Sequence, residues 1–209
     1  MSRYDINGLQ NTPQPGSDED VLANKLDIVH RADIDEAELV LLKKLYFSIL
    51  NDHLPMGAIT VPILKGWHRQ WLGNLYTWAG FERSVNMSKD GFPFAAADRI
   101  PALMSDFECL YLHRYTSCTG YGRDALIEAI AVTHVEFILI HPFREGNGRI
   151  ARLLADVMAA QAGCGPLDYS QWEAQRPRYI QAIQAGLSED YSKMCYWVDI
   201  ALGDGPNAR

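Results

Sequence analysis

The chain of 209 residues has few cysteines, and none of them forms a C-x-x-C pair. The four are Cys109, Cys118, Cys164 and Cys195. This scattered arrangement argues against a zinc knuckle and against a scaffold held by disulfides, and it is typical of a reducing compartment.

Long apolar runs and an excess of basic charge are also lacking. No stretch approaches the roughly 18 consecutive apolar residues of a membrane span, and the first residues carry no apolar signal-peptide core. With 19 basic and 26 acidic side chains, the formal net charge is −7, which argues against a broad nucleic-acid-binding surface. We therefore expect a cytoplasmic protein of one domain that contacts neither membrane nor nucleic acid directly.

Helical periodicity dominates what is present. Residues 1–30 are rich in Asn, Gln, Pro, Gly and Asp, which predicts an irregular arm with at most a helical turn at residues 21–26. Apolar spacing then predicts helices over about residues 33–51, 60–72, 98–115, 124–140, 148–161 and 189–202, and one more that is interrupted at Pro177. Asp33 or Asp35 is the expected cap of the first helix, and Thr60 is that of the second.

Two patterns within this series indicate the architecture. The helix at residues 124–140 is apolar on nearly every side in its last two turns, so we expect it at the centre of the fold. Residues 84–87 alternate in polarity and are followed by the turn sequence Lys89-Asp90-Gly91, which predicts a hairpin. The predicted fold class is all-α with one small β-hairpin.

The residues most suited to chemistry lie together at 141–152, in the sequence HPFREGNGRIAR. Pro142 disfavours helical geometry at His141, so the central helix should end there and leave the imidazole at the edge of the core. Gly146, Asn147 and Gly148 can expose successive amides just before the next helix, and together with its positive end they make an anion-binding nest.

The charged side chains of this segment suit a polyphosphate. Arg149 and Arg152 are neighbours on the first turn of the following helix, Glu145 could hold Mg²⁺, and His141 could accept a proton near neutral pH. Each residue also has a structural interpretation, as a helix cap, a tight turn or a partner in an ion pair. Their concentration in twelve residues favours function.

This segment matches the H-x-F-x-(D/E)-G-N-G-R-x-x-R signature of the Fic domain family at every defining position. Residues 75–80, together with Ser88 and Lys89, resemble the flap of that family, and residues 21–26 resemble its amino-terminal segment. The resemblance implies a Fic domain over residues 31–205, with a flap at about 83–96 over the active site.

The resemblance also implies an activity and residue roles. Typical members transfer AMP from ATP to a protein hydroxyl, with His141 as general base and Glu145 coordinating Mg²⁺. Gly146, Asn147 and Gly148 would form the phosphate-binding loop, in which Asn147 contacts the α-phosphate. Arg149 and Arg152 would hold the β- and γ-phosphates, and Tyr179 would line the nucleoside pocket.

Two further expectations concern partners. Ser88, Lys89, Asp90 and Gly91 would dock an extended target segment, although the hairpin could equally be a simple cover of the core. The family's inhibitory pattern (S/T)-x-x-x-E-(G/N) is absent, since Ser170 is followed by Glu173 one residue too early. We therefore expect Arg152 to be free, or blocked in trans by a small antitoxin-like protein, and DNA gyrase or topoisomerase IV are targets by analogy.

Alternative functions remain open at this point. Relatives of the same fold transfer UMP, phosphocholine or phosphate, and the nucleotide base is not readable from the sequence. A hydrolase with a metal at His134, Glu136 and His141 lacks the H-E-x-x-H spacing. A non-catalytic nucleotide-binding module would be expected to lose the histidine or an arginine, and neither is lost.

Overall fold

The computed structural model describes residues 5–7, 12–17 and 21–203, most of which are helical. The α-helices are α1 (Arg31–Phe47), α2 (Val61–Leu72), α3 (Ile100–Asp106), α4 (His113–Tyr115), α5 (Arg123–Ile140), α6 (Asn147–Gln161), α7 (Ser170–Ala174), α8 (Arg176–Ala185) and α9 (Ser192–Leu202). Turns of other helical pitch occupy Ser48–Asp52, Ala97–Arg99, Phe107–Leu112 and Gly186–Ser188. The helical class predicted from the sequence is confirmed.

Helix α5 lies at the centre of the core. It packs against α6 and α9 and also contacts α3, α4 and α8. Ile130, Val135 and Phe137 are completely buried on it. Burial of one such side chain contributes about 1.5–3 kcal/mol, so α5 is firmly held up to the residue that follows it. In the described part of the chain, no helix is both long and apolar enough to cross a membrane.

The helix starts follow the sequence in part. Thr60 accepts a hydrogen bond from the amide of Ile63 at 3.4 Å, as expected of a cap. Helix α1, however, begins after His30, so the predicted cap at Asp33 or Asp35 was wrong. The carboxylate of Asp35 instead pairs with Arg31 at 2.9 Å, one turn earlier on the same helix.

A small antiparallel sheet consists of β1 (Asp5–Asn7), β2 (Asn86–Lys89) and β3 (Phe92–Pro93), in that order. Strands β2 and β3 form the predicted hairpin, which we call the flap, and Asp90 and Gly91 turn the chain with φ of 52° and 78°. Strand β1 lies along the other edge of β2, and it pairs Asp5 with Ser88.

Among its described residues, the amino-terminal arm departs from the predicted irregular structure at Asp5–Asn7. Composition favours irregular structure there, but three of its residues find a partner strand more than 75 residues away, which composition cannot show. The helical turn predicted at residues 21–26 does not form as a helix, and Leu22 instead makes an isolated β-bridge with Pro13.

Candidate active site

His141 follows the last residue of α5 and has the left-handed backbone conformation, with φ of 52° and ψ of 58°. Pro142 comes next, so the helix cannot simply continue and the chain turns away. The imidazole is only 4 % exposed and stacks on Phe94, with ring centroids 3.7 Å apart. Since Phe94 directly follows β3, the flap covers the histidine.

The hydrogen bonding of His141 determines which nitrogen can act as a base. Its Nδ1 lies 3.2 Å from the carbonyl oxygen of Ile138. A carbonyl only accepts, so Nδ1 carries the proton and Nε2 keeps its lone pair. Burial lowers the pKa of His141 to about 3, and the charges of Arg83 and Lys89 act in the same direction. The ring is therefore neutral at pH 7, and Nε2 can accept a proton.

The loop after His141 leads directly into α6, and its geometry requires glycine. Gly146 has φ of +84°, and a Cβ atom there would lie 2.5 Å from the ring of Trp71. Gly146, Gly148 and the two motif arginines line one cavity of about 680 Å³, together with His141. The positive end of α6 and its first-turn amides therefore lie at this cavity.

Asn147 has a different place from the one that the resemblance implied. Its side chain is completely buried, accepts from the amide of Phe143 at 2.8 Å and donates to the carbonyl of Phe143 at 2.7 Å. With both ends bonded to Phe143, it does not line the cavity. The side chain of Asn147 therefore holds the shape of the loop, and the contact of this residue with the α-phosphate stays a prediction.

Arg149 is held by a carboxylate that the sequence did not reveal. Its guanidinium donates to Glu38 on α1 at 2.7 Å and to Glu145 at 3.3 Å, and it lies 4.4 Å from the ring centroid of Trp71. Glu38 is buried and also accepts from the hydroxyl of Tyr76 at 2.8 Å. These contacts fix the arginine head beside the loop before any ligand binds.

Arg152 is not free, so that part of our expectation was wrong. It pairs with Glu173 on α7 at 2.8 Å, and its guanidinium lies 4.9 Å from the ring centroid of Tyr169. The side chain of Glu173 is 67 % exposed and lines the cavity. Asp156, four residues after Arg152, is instead bonded to the amide of Leu167. A glutamate of this chain therefore forms an ion pair with the second motif arginine, although the chain lacks the inhibitory sequence pattern.

Glu145 is the carboxylate at the cavity that could face a metal ion. Among the described residues, no three His, Cys, Asp or Glu side chains are grouped so as to hold a metal by themselves. Mg²⁺ usually takes one or two carboxylates together with substrate phosphates, so a single Glu145 fits this ion. The grouping of His134, Glu136 and His141 considered for a hydrolase is not formed, since His134 bonds Tyr179 and Glu136 bonds Tyr191.

The carbonyl of Glu145 is fixed by a buried histidine. His68 Nε2 lies 3.0 Å from that oxygen, while its Nδ1 accepts from the amide of Gly80 at 2.8 Å. Burial lowers the pKa of His68 to about 4, so this ring is neutral as well. Its ring stacks on Phe143 with centroids 3.9 Å apart, and this contact stabilises the loop.

The far end of the cavity is aromatic. Tyr179 lines it, stacks on Trp172 with centroids 5.1 Å apart, and contacts His134 Nε2 at 2.8 Å through its hydroxyl. Trp172 also lines this wall and was not singled out from the sequence, whereas His134 contacts Tyr179 without lining the cavity. At the near end Lys89 and Asp90 line the cavity, whereas Ser88 and Gly91 do not.

The sequence model described as the Fic/DOC family matches residues 58–159, which include the loop and both arginines. Over these residues, the chain resembles the Fic/DOC family. A crystal structure of the Bartonella tribocorum effector BepC with bound AMPPNP is 20 % identical, has a TM-score of 0.72, and covers 92 % of this chain and 96 % of that one. At this identity, the likeness shows that the fold is the Fic fold.

Curated Fic relatives match most of the chain. A probable protein adenylyltransferase, y4lH of Sinorhizobium fredii, is 25 % identical over 174 residues, covering 83 % of this chain and 87 % of the relative. The probable protein adenylyltransferase Fic of Escherichia coli K12 is 26 % identical over 180 residues, covering 84 % of each. VbhT of Bartonella schoenbuchensis, a protein adenylyltransferase, is 27 % identical over 165 residues, which is 34 % of its length.

Proposed function

We propose that the chain is a protein adenylyltransferase, which transfers AMP from ATP to a hydroxyl side chain of a target protein. The observation that carries this proposal is that a neutral His141, the start of α6, Arg149 and Arg152 all line one cavity. The names of the relatives support the same activity.

We assign each group a step that its position in the cavity supports. Nε2 of His141 takes the proton of the target hydroxyl, whose oxygen attacks the α-phosphorus of ATP. The bond to the β-phosphate oxygen breaks, and pyrophosphate leaves. The amides at the start of α6 and the two arginines stabilise the charge on the phosphates. Glu145 would hold Mg²⁺, which when bound neutralises charge on the triphosphate.

The aromatic wall of Trp172 and Tyr179 suits the nucleoside, because a flat base gains from stacking on aromatic rings. The intact loop from Gly146 to Gly148 favours nucleotidyl transfer over kinase chemistry. Transfer of UMP, phosphocholine or phosphate remains the alternative. Labelled nucleotides therefore have to be compared directly.

For the target, we propose an extended segment that docks on the flap near Lys89 and Asp90. Strand addition would fix such a segment through its backbone and bring a Tyr, Thr or Ser hydroxyl to His141. DNA gyrase and topoisomerase IV are our candidate targets, in the cytoplasm where ATP is available. An antitoxin that supplies a glutamate in trans would have to displace Glu173 from Arg152.

The test uses α-labelled ATP, Mg²⁺ and bacterial lysate with the wild type, His141→Ala and the control His113→Ala, in which an exposed histidine is removed. We expect a labelled protein band with the wild type and the control but not with His141→Ala. A label of equal strength in His141→Ala would contradict the role of His141. A label that appears only from γ-labelled ATP, or only from α-labelled UTP, would replace adenylyl transfer by one of the alternatives.

A further inference from the structure

Arg83 is a buried arginine outside the motif that the mechanism above does not use. It lies between α2 and the flap, and it is only 2 % exposed. An arginine almost never occupies such a position unless all its donors are satisfied. The contacts of this side chain therefore indicate its role.

All the hydrogen bonds of the Arg83 guanidinium go to backbone carbonyl groups, which lie on two separate parts of the fold. Nε donates to His141 at 2.8 Å, and Nη2 is 3.4 Å from the carbonyl oxygen of Ile140. On the flap side, Nη1 donates to Val85 at 2.5 Å and Nη2 to Ala95 at 2.6 Å.

These acceptors have a simple geometric relation. Val85 immediately precedes β2 and Ala95 follows β3, so they are the two ends of the flap. Ile140 and His141 are the end of α5, where the helix carbonyls have no partners within the helix. The planar guanidinium fork thus bridges both ends of the flap to the residue that carries the catalytic imidazole.

Main-chain bonds run alongside this bridge. The amide of Arg83 donates to the carbonyl of Pro142 at 2.8 Å, and that of Ala95 donates to Leu139 at 3.3 Å. Within the described part of the chain, no carboxylate accepts from Arg83. Its positive charge is held by carbonyl dipoles at the end of a helix, where a cation is favoured.

We propose that Arg83 is a positioning residue that holds the flap in a fixed place relative to His141, so that a hydroxyl on a docked target segment meets Nε2. This inference rests on the proposed function. In this proposal, the side chain of Arg83 sets the distance between the flap and His141, whereas α6 and the aromatic wall of Trp172 and Tyr179 hold the nucleotide. Loss of Arg83 should therefore slow transfer without weakening nucleotide binding.

The decisive variant is Arg83→Lys, which keeps the charge but has donors at only one point and cannot span both sides of the bridge. Arg99→Lys is the matched control, because Arg99 is exposed and does not line the cavity. Arg83→Met serves as a second variant without the charge. For each protein we would measure AMPPNP affinity by calorimetry, transfer from α-labelled ATP to lysate protein, and hydrogen exchange of a peptide covering residues 84–96.

For Arg83→Lys we expect affinity for AMPPNP within about twofold of wild type, transfer slower by about tenfold or more, and flap exchange faster by about tenfold. Exchange in α5 should stay unchanged up to Ile138. A folded Arg83→Lys whose transfer rate is within about threefold of wild type would overturn the proposal. A loss of AMPPNP affinity as large as the loss of transfer rate would also overturn it.

Two controls keep the outcome decisive. If the wild type labels no protein, the proposed function fails, whereas exchange and affinity still decide whether Arg83 couples the flap to α5. If neither variant folds, NMR of the wild type decides. The Nε proton of Arg83 and the amide of Ala95 should then be protected to the same degree, each relative to its own exchange rate in an unfolded peptide. Protection of the Nε proton that is lower by about tenfold would overturn the coupling.

Discussion

Removal of the Glu173 carboxylate, which pairs with Arg152, should modestly strengthen nucleotide binding. In Glu173→Gln the competitor for the second motif arginine loses its charge, while Tyr169 still packs against the guanidinium at 4.9 Å. The arginine should therefore stay at the cavity, with its donors available to a phosphate.

The exposure of the two partners determines the size of the effect. The side chains of Arg152 and Glu173 are 29 % and 67 % exposed, and pairs of this kind contribute about 0.2–1 kcal/mol. AMPPNP should accordingly bind about 1.4- to 5-fold more tightly to Glu173→Gln than to the wild type. The difference should shrink in about 1 M salt, where the screening length is about 3 Å.

Calorimetric titration with AMPPNP and Mg²⁺ provides the measurement, and Glu36→Gln is the control because it makes the same charge change at an exposed site on α1. Weaker binding to Glu173→Gln would refute the reasoning, since it would make the glutamate part of the nucleotide site. A gain above about 100-fold would also refute it, because an exposed pair cannot supply that energy.

Three further predictions concern stability, each measured by urea unfolding. Gly146→Ala should cost about 2–4 kcal/mol through its positive φ and the clash with Trp71, whereas Gly148→Ala, where a Cβ meets nothing within 4 Å, should change stability by under about 0.5 kcal/mol; equal effects would contradict this. Glu38→Ala should cost about 3 kcal/mol, because Arg149 loses its buried partner, and an unchanged midpoint would show the pair to be neutral. Acidification from pH 7 to pH 5 should lower the free energy of unfolding by about 4–5 kcal/mol. Three buried histidines stay neutral in the folded protein but take up protons when it unfolds. Asp156, whose pKa is raised to about 6, takes up a proton in the folded protein and partly offsets this loss. The three are His68, His134 and His141, with pKa values lowered to about 4, 3 and 3. Equal stability at the two pH values would count against this burial.

Features that depend on neighbouring residues could be predicted from the sequence. The end of α5 at His141 follows from Pro142, and the turn of the flap follows from Asp90 and Gly91, whose φ values are both positive. The apolar character of residues 124–140 likewise predicts that α5 is central. In each case the cause lies within a few positions of its effect.

Contacts between distant segments could not be predicted in this way. Glu38 reaches Arg149 from 111 positions away, and Arg83 reaches His141 from 58 positions away. The partner of Arg152 was missed for a different reason. A search for the inhibitory spacing alone discards Glu173, although the fold brings its carboxylate to the guanidinium of Arg152.

The position of β1 has a practical consequence for every labelling assay described above. Asp5–Asn7 is a strand of the flap sheet, so a tag joined ahead of it enters the chain near the surface on which we propose that a target docks. Such a tag could displace β1 or obstruct the target, and a silent enzyme would then be an artefact of purification. Affinity tags for these experiments therefore belong at the carboxyl terminus, after α9.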